Sequence, residues 1–267
     1  MALAFTTRAA ARYCLGRPGW PDDLRHGVAI AHSADPLSYA MVIAYVYFPG
    51  ITHGVLAAHD PALREIEDAL RIAERSGDDL ALLWARATLG VALVHRHTDA
   101  DRDRGEQLLA EAGEAFARRG VSLSELQLLN VYLARERARR GDRDEAIPLM
   151  FAVVDHPARE GQLLAWGYAI PAMGVLVETL LDSGAETDVA EAEAAIERLA
   201  AAPAEDGLVI RDVWLLRLRA LLAWARGDDD TYPVLVSRYR AMAESLGLEG
   251  HIAWAEAMAQ CRGKSAI

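Results

Sequence analysis

Gly263-Lys264-Ser265 has the residue types that end a phosphate-binding loop, in which a lysine reaches the phosphates and a hydroxyl holds magnesium. That loop also needs a glycine at position 258, and Met258 stands there. Asp99, Asp101 and Asp103 alternate as carboxylates do at the start of a calcium-binding loop. The glycine such a loop requires is replaced by Arg104, and its final glutamate by Ala110. These aspartates read instead as a solvated turn with carboxylates at a helix N-terminus. His95 and His97 lie two residues apart at a helix end, so their side chains point about 200° apart and cannot share one metal. Serine, histidine and aspartate all occur, but without the nucleophile-elbow pattern. Cys14 and Cys261 sit near opposite ends, with no pair spacing for a metal or redox motif. The expectation is therefore no catalytic residue, no metal and no cofactor.

Two uncharged runs are more informative. Between Asp35 and Asp60 there is no formally charged residue, and between Glu160 and Glu178 there is none either. Each could be mistaken for a membrane span. Pro49, Gly50 and Gly54 in the first run and Gly167, Pro171 and Gly174 in the second point instead to buried helices in the middle of a stack. Both runs concentrate aromatics: Tyr45, Tyr47 and Phe48 in one, Trp166 and Tyr168 in the other. Pro49 and Pro171 are expected to kink their helices and free a backbone carbonyl. Apolar rings with a few polar tips are the usual lining of a small-molecule site. Tyr45, Tyr47, Trp166 and Tyr168 are therefore the candidate binding residues, with Arg135 and Arg137 between the runs supplying charge for an anionic ligand or acidic peptide.

The elements that must position these residues follow from a repeat. The turn Arg140-Gly141-Asp142 recurs as Asp182-Ser183-Gly184 and Arg226-Gly227-Asp228, with the glycines 43 residues apart, and one period before Gly141 falls Thr98 in the turn His97-Thr98-Asp99. A fixed period of this size marks a repeat protein. Helix signals fill the intervals. Asp35-Pro36 and Asp60-Pro61 each read as an N-cap aspartate followed by proline at the first helical position. Ser122 and Glu125 have capping-box spacing. Ile66, Ala69, Leu70 and Ala73 form one apolar stripe, as do Leu108, Leu109, Ala112 and Phe116. The reading is an all-α, right-handed, tetratricopeptide-like solenoid over residues 1–267, a single domain of six helix pairs and a terminal capping helix. The first helix of each pair lines the concave side. The first uncharged run is read as one helix from Leu37 to Ala58.

Composition fits this picture. Hydrophobic residues make up 52% of the 267 and charged residues 25%, which allows a substantial core. The formal net charge of −11 argues against general nucleic-acid binding, which needs a basic surface. Lys264 is the only lysine, so arginine carries the remaining positive charge. The cysteine usage fits a reducing, cytoplasmic setting. The first residues, Met1-Ala2-Leu3-Ala4-Phe5, are too short an apolar run for a signal peptide and read as a helix already under way, as if the chain began inside a larger architecture.

From Leu80 onward the chain resembles the C-terminal repeat region of actinobacterial signalling proteins that combine a class III adenylate cyclase domain with a signal-transducing ATPase, some members ending in a LuxR-type DNA-binding domain. The similar segments are Ala87-Thr88-Leu89-Gly90-Val91-Ala92-Leu93-Val94-His95-Arg96, Ala134 to Asp142, Val175 to Leu181, and Leu248-Glu249-Gly250-His251-Ile252-Ala253-Trp254 to Met258. They are scaffold segments. The cyclase's metal-binding aspartates and the ATPase's nucleotide motifs have no counterpart, and the period exceeds the tetratricopeptide norm of about 34 residues. The resemblance implies a non-enzymatic sensor or interaction module. It would bind a protein segment or small effector on its concave face and regulate an ATPase or cyclase, attached or in trans, with no direct contact to nucleic acid or membrane. The alternative is a fragment of an adenylate cyclase or ATP-dependent LuxR-type regulator whose catalytic domains lie outside this chain.

Overall fold

Side-chain caps set the helix starts in the first half of the chain. Asp35 accepts the Ser38 N–H at 2.8 Å, Asp78 the Ala81 N–H at 2.8 Å and Thr98 the Asp101 N–H at 3.1 Å. Each satisfies a donor that the first helical turn leaves open. A computed structural model describes residues 1–120, 123–154, 167–202 and 207–264. Those residues form thirteen helices and no strand. They are α1 (Ala2–Cys14), α2 (Trp20–Ala34), α3 (Pro36–Thr52), α4 (Asp60–Ser76), α5 (Asp79–Val94), α6 (Asp99–Arg119), α7 (Leu123–Arg139), α8 (Arg143–Val154), α9 (Ala169–Leu181), α10 (Glu186–Ala201), α11 (Val209–Ala225), α12 (Thr231–Leu246) and α13 (Glu249–Lys264). None of them is long and apolar enough to cross a membrane.

The helices form two layers. α1, α3, α5, α7, α9 and α11 pack side by side, and each even-numbered helix packs between its own odd-numbered partner and the next one. In the middle of the inner layer α5 is apolar nearly all round: twelve of its sixteen residues are buried, the mark of a helix enclosed on every side. The outer helices bury one stripe, as α4 does with Ala62, Ile66, Ala69, Leu70 and Ala73. On α6 the stripe is Leu109, Ala112 and Phe116, with Leu108 at its edge. Gly141, Gly184 and Gly227 follow α7, α9 and α11 at positive φ, so the 43-residue period marks where inner helices end.

The two ends of the chain meet. α1 packs on α11 as well as on α3, which makes the contacts among the six inner helices a closed circuit. The first turn of α13 is held by the loop after α3: the Glu249 N–H donates to the Val55 carbonyl and the His251 N–H to the Gly54 carbonyl, both at 2.9 Å. The Trp20 indole N–H donates to the Leu246 carbonyl at 3.3 Å. Gly54 takes a φ of +69°, and a Cβ there would stand 2.5 Å from the Trp254 ring, so both its backbone and its lack of side chain are required.

Three local expectations change. α3 stops at Thr52 rather than Ala58, because the Thr52 hydroxyl and the His53 ring N–H both turn back to the Pro49 carbonyl, and the Val55 N–H closes on Gly50 at 2.8 Å. His59, not Asp60, caps α4: its Nδ1 accepts the Ala62 N–H at 3.0 Å, and Asp60 and Pro61 become the first two helical residues. A ring nitrogen that carries no proton accepts the N–H as a capping side-chain oxygen would. Pro171 falls in the first turn of α9, where no helical hydrogen bond is lost. The Ser122 cap lies outside the described residues, as do residues 161–166 of the second uncharged run.

Candidate functional site

Two cavities open on the inner layer. The first, about 510 Å³, lies among α1, α3, α5 and the starts of α7 and α9. Tyr45 and Tyr168 both line it, and they meet through a chain of rings: Tyr45 lies 5.1 Å from Trp84, Trp84 meets Phe48 edge-on at 5.6 Å, and Phe48 meets Tyr168 at 5.8 Å. His53 packs 5.6 Å from Tyr168 and donates from Nδ1 to the Pro49 carbonyl at 2.9 Å. Cys14 also lines this cavity, but burial pushes its thiol up to about 12, so it is not a nucleophile at neutral pH.

The second cavity, about 330 Å³, is lined from α7, α9, α11 and α13, by the turn after α5, by Arg102 of α6 and by Tyr232 of α12. Its chemistry is that of arginine held against rings. Arg102 reaches Glu136 through Nη2 at 2.5 Å and 2.6 Å and through Nε at 3.0 Å. Arg135 shares that carboxylate at 3.0 Å, donates to the Val94 carbonyl at 2.8 Å and covers the Tyr132 ring at 5.0 Å. Arg217 pairs with Glu178 and packs against two indoles, 4.6 Å from Trp254 and 5.5 Å from Trp214, which themselves meet at 5.5 Å. Burial, with like charge from Arg135, pulls both Arg102 and Arg217 below the usual guanidinium range. Trp214 is seated over Gly174, where a Cβ would stand 2.3 Å from the ring. The buried Arg217 Nε and Trp214 Nε1 meet no hydrogen-bond acceptor among the described residues.

His95 borders this cavity, stacked on Trp254 at 6.2 Å and edge-on to Tyr132 at 5.3 Å, with Nδ1–H donating to the Val91 carbonyl at 2.8 Å. Burial first, and then the charge of Arg135, Arg102 and Arg217, hold it down to about 3, so the ring is neutral. Burial likewise lowers His53 and His251. All three rings must gain protons on unfolding below about pH 6.5, the ordinary histidine value. A depressed folded-state pKa gives stability that is present above 6.5 and lost as pH falls toward the folded value. The urea midpoint is therefore expected to fall between pH 7 and pH 5, above the range where carboxylates titrate, and His95→Phe is expected to flatten that slope. A flat midpoint across this window would contradict the neutral buried rings.

The five described candidate residues do not converge. Tyr45 and Tyr168 share the first cavity, and Arg135 lines the second. Tyr47 faces the outer layer, where its hydroxyl donates to Glu65 at 2.5 Å beside that of Tyr39 at 3.3 Å. Arg137 is exposed in a groove between α7 and α8 with Leu149 and Val153. Trp166 lies outside the described residues. Sequence reasoning passed over Arg102, Arg217, Trp214 and Trp254. The signal was there in α11, where Arg217 falls on the same face as the apolar stripe Trp214, Leu218 and Leu221. No group of three or more metal-ligating side chains occurs among the described residues.

Layers, period and inner cavities define a helical repeat-like, all-α protein. No family model, curated protein or solved structure matches the chain, and nothing in those comparisons links it to adenylate cyclases or LuxR-type regulators.

Proposed function

We propose that this chain is a non-catalytic, tetratricopeptide-like sensor module, read as a right-handed solenoid of six helix pairs with α13 as its cap. It binds a small effector or partner segment on the inner face and regulates an attached or associated ATPase or cyclase. The observation that carries the binding role is the second cavity, of about 330 Å³, whose lining brings Arg102, Arg135 and Arg217 together with Trp214 and Trp254. A concave site lined by rings with a few charged groups is the usual form of a small-molecule site. The regulatory role rests on the resemblance of the α5, α7, α9 and α13 segments to signalling proteins.

A thermal-shift screen of charged and neutral small molecules against the purified chain tests the binding role. At least one compound is expected to raise Tm saturably, with the shift lost in Trp254→Leu. The same preparation is expected neither to hydrolyse ATP nor to form cyclic AMP. Nucleotide turnover that copurifies with the chain through successive columns, or a screen in which no compound shifts Tm, would overturn the reading.

A further inference from the structure

We infer that the first inner cavity takes a small organic cation: an ammonium group with N–H donors, carried on an apolar chain. This is a different cavity from the one that carries the proposed binding role, and the inference does not depend on that role.

Charge comes first. Glu125 lines this cavity and is 9% exposed. It is the one residue of the lining with a formal charge. Burial lowers His53 and raises Tyr13, Cys14, Tyr45 and Tyr168, so the rings and the thiol around it are neutral. The arginines on the surrounding helices turn elsewhere. Arg8 and Arg12 both hold Asp23, Arg86 faces Glu111 and Arg119 holds Asp79. Arg17 opens on a separate small cavity beside Ser245 and Leu246. No cation among the described residues pairs with Glu125, whose one hydrogen-bond partner there is Ser124. A charge withdrawn from water is costly unless it is paired. Glu125 stands in the first turn of α7, where the helix dipole favours a carboxylate, and that eases the charge without neutralising it.

Hydrogen bonding points the same way. Glu125 Oε2 accepts the Ser124 hydroxyl at 2.8 Å. Oε1 has no donor, and unlike His53 Nε2 it is not among the side-chain atoms sealed from solvent, so a ligand in the cavity can reach it. A carboxylate only accepts. The ligand that completes it must bring a donor, and a charged N–H brings the strongest. An alcohol would fill the bond and leave the charge, and an anion would meet like charge.

The rest of the lining suits an organic cation rather than a metal. Tyr45 is 37% exposed and offers the cavity an open ring, with Trp84 behind it at 5.1 Å. Tyrosine faces attract ammonium groups. Ala10 and Pro49 add apolar surface for a chain. A divalent metal asks for several oxygen ligands, and Glu125 is the single carboxylate of the lining. A volume of about 510 Å³ lies within the range of small-molecule sites.

The test is calorimetric titration of the full chain with hexylammonium, hexanol, hexanoate and magnesium. Hexylammonium is expected to bind at least about tenfold more tightly than hexanol or hexanoate, the factor for one charge-assisted bond. Magnesium is expected not to displace it. Glu125→Gln, which keeps the shape and removes the charge, is expected to lower hexylammonium affinity by about tenfold or more. Tyr45→Leu is expected to lower it by about threefold, the loss of one exposed cation–ring contact. Circular dichroism checks that each variant is folded, and if Glu125→Gln is not, Tyr45→Leu decides. Glu65→Gln, which removes a carboxylate between α3 and α4 outside this cavity, is expected to leave the affinity unchanged. Failure of hexylammonium to bind, equal binding of hexanol, or affinity unmoved by folded Glu125→Gln or, in its place, by Tyr45→Leu would overturn the inference. Binding that survives Glu125→Gln but is lost in Trp254→Leu would put hexylammonium in the second cavity, so the inference falls while the binding role stands.

Discussion

Glu136→Ala is expected to destabilise the fold by about 3–5 kcal/mol, the range for removing one partner of a buried ion pair. Glu136 is 4% exposed and is the shared acceptor of Arg102 and Arg135. Without it, two guanidiniums that already repel each other lose their common counter-charge in a place that water reaches poorly. Neither partner lies at the open surface, with side-chain exposures of 5% for Glu136 and 10% for Arg102, so the screening that makes surface pairs weak does not apply. Glu136→Gln, which keeps the shape and one acceptor, is expected to lose less. The double change Arg102→Met with Glu136→Leu is expected to recover part of the loss, since it removes the charge along with its partner. Urea unfolding followed by far-ultraviolet circular dichroism reads all three. A Glu136→Ala midpoint within error of the parent would mean the pair contributes nothing to the fold.

Leu218→Ala is expected to lose about 2–5 kcal/mol by cavity formation. Leu218 is 0% exposed in the middle of α11, with Trp214 one turn before it and Leu222 one turn after, both buried. Its removal loosens the support under Trp214, so intrinsic tryptophan emission is expected to shift along with the urea midpoint. Glu193→Ala is the control. Glu193 pairs with Arg226, but both side chains are more than two-fifths exposed, and the change is expected to leave the urea midpoint within error of the parent. Equal effects of the two substitutions would show that the buried face of α11 has been misplaced.

What the sequence made legible was local. The caps at Asp35, the glycine turns at Gly141, Gly184 and Gly227 and the stripes of α4 and α6 act within a few residues, so the all-helical architecture could be read from them. The end of α3 was not legible, because the Thr52 hydroxyl, the His53 ring and the Gly54 conformation jointly overrule an uninterrupted apolar run. The candidate site was half legible for a different reason. Aromatics in the uncharged runs looked like a lining, but Tyr47 is drawn to Glu65 on the outer side, and ring-rich inner helices mostly pack on one another. The stronger sign was an arginine on the face of an apolar stripe. Arg217 gains meaning only beside Trp254, brought to it from another helix.

The bond between the α3–α4 loop and the first turn of α13 changes how the molecule can come apart. An open repeat array has free ends, and each terminal unit can fray alone because it touches a single neighbour. Here the Gly54 and Val55 carbonyls grip the amides of His251 and Glu249, and Gly16 rests on Val209, so neither end is free. Loss of the last helix exposes Gly54 and its loop, and loss of the first two exposes α11. Unfolding is thereby tied into one cooperative event rather than a progressive unzipping. The same tie means that folding must close a chain loop spanning most of the sequence, an entropic demand that delays assembly until the intervening helices are in place.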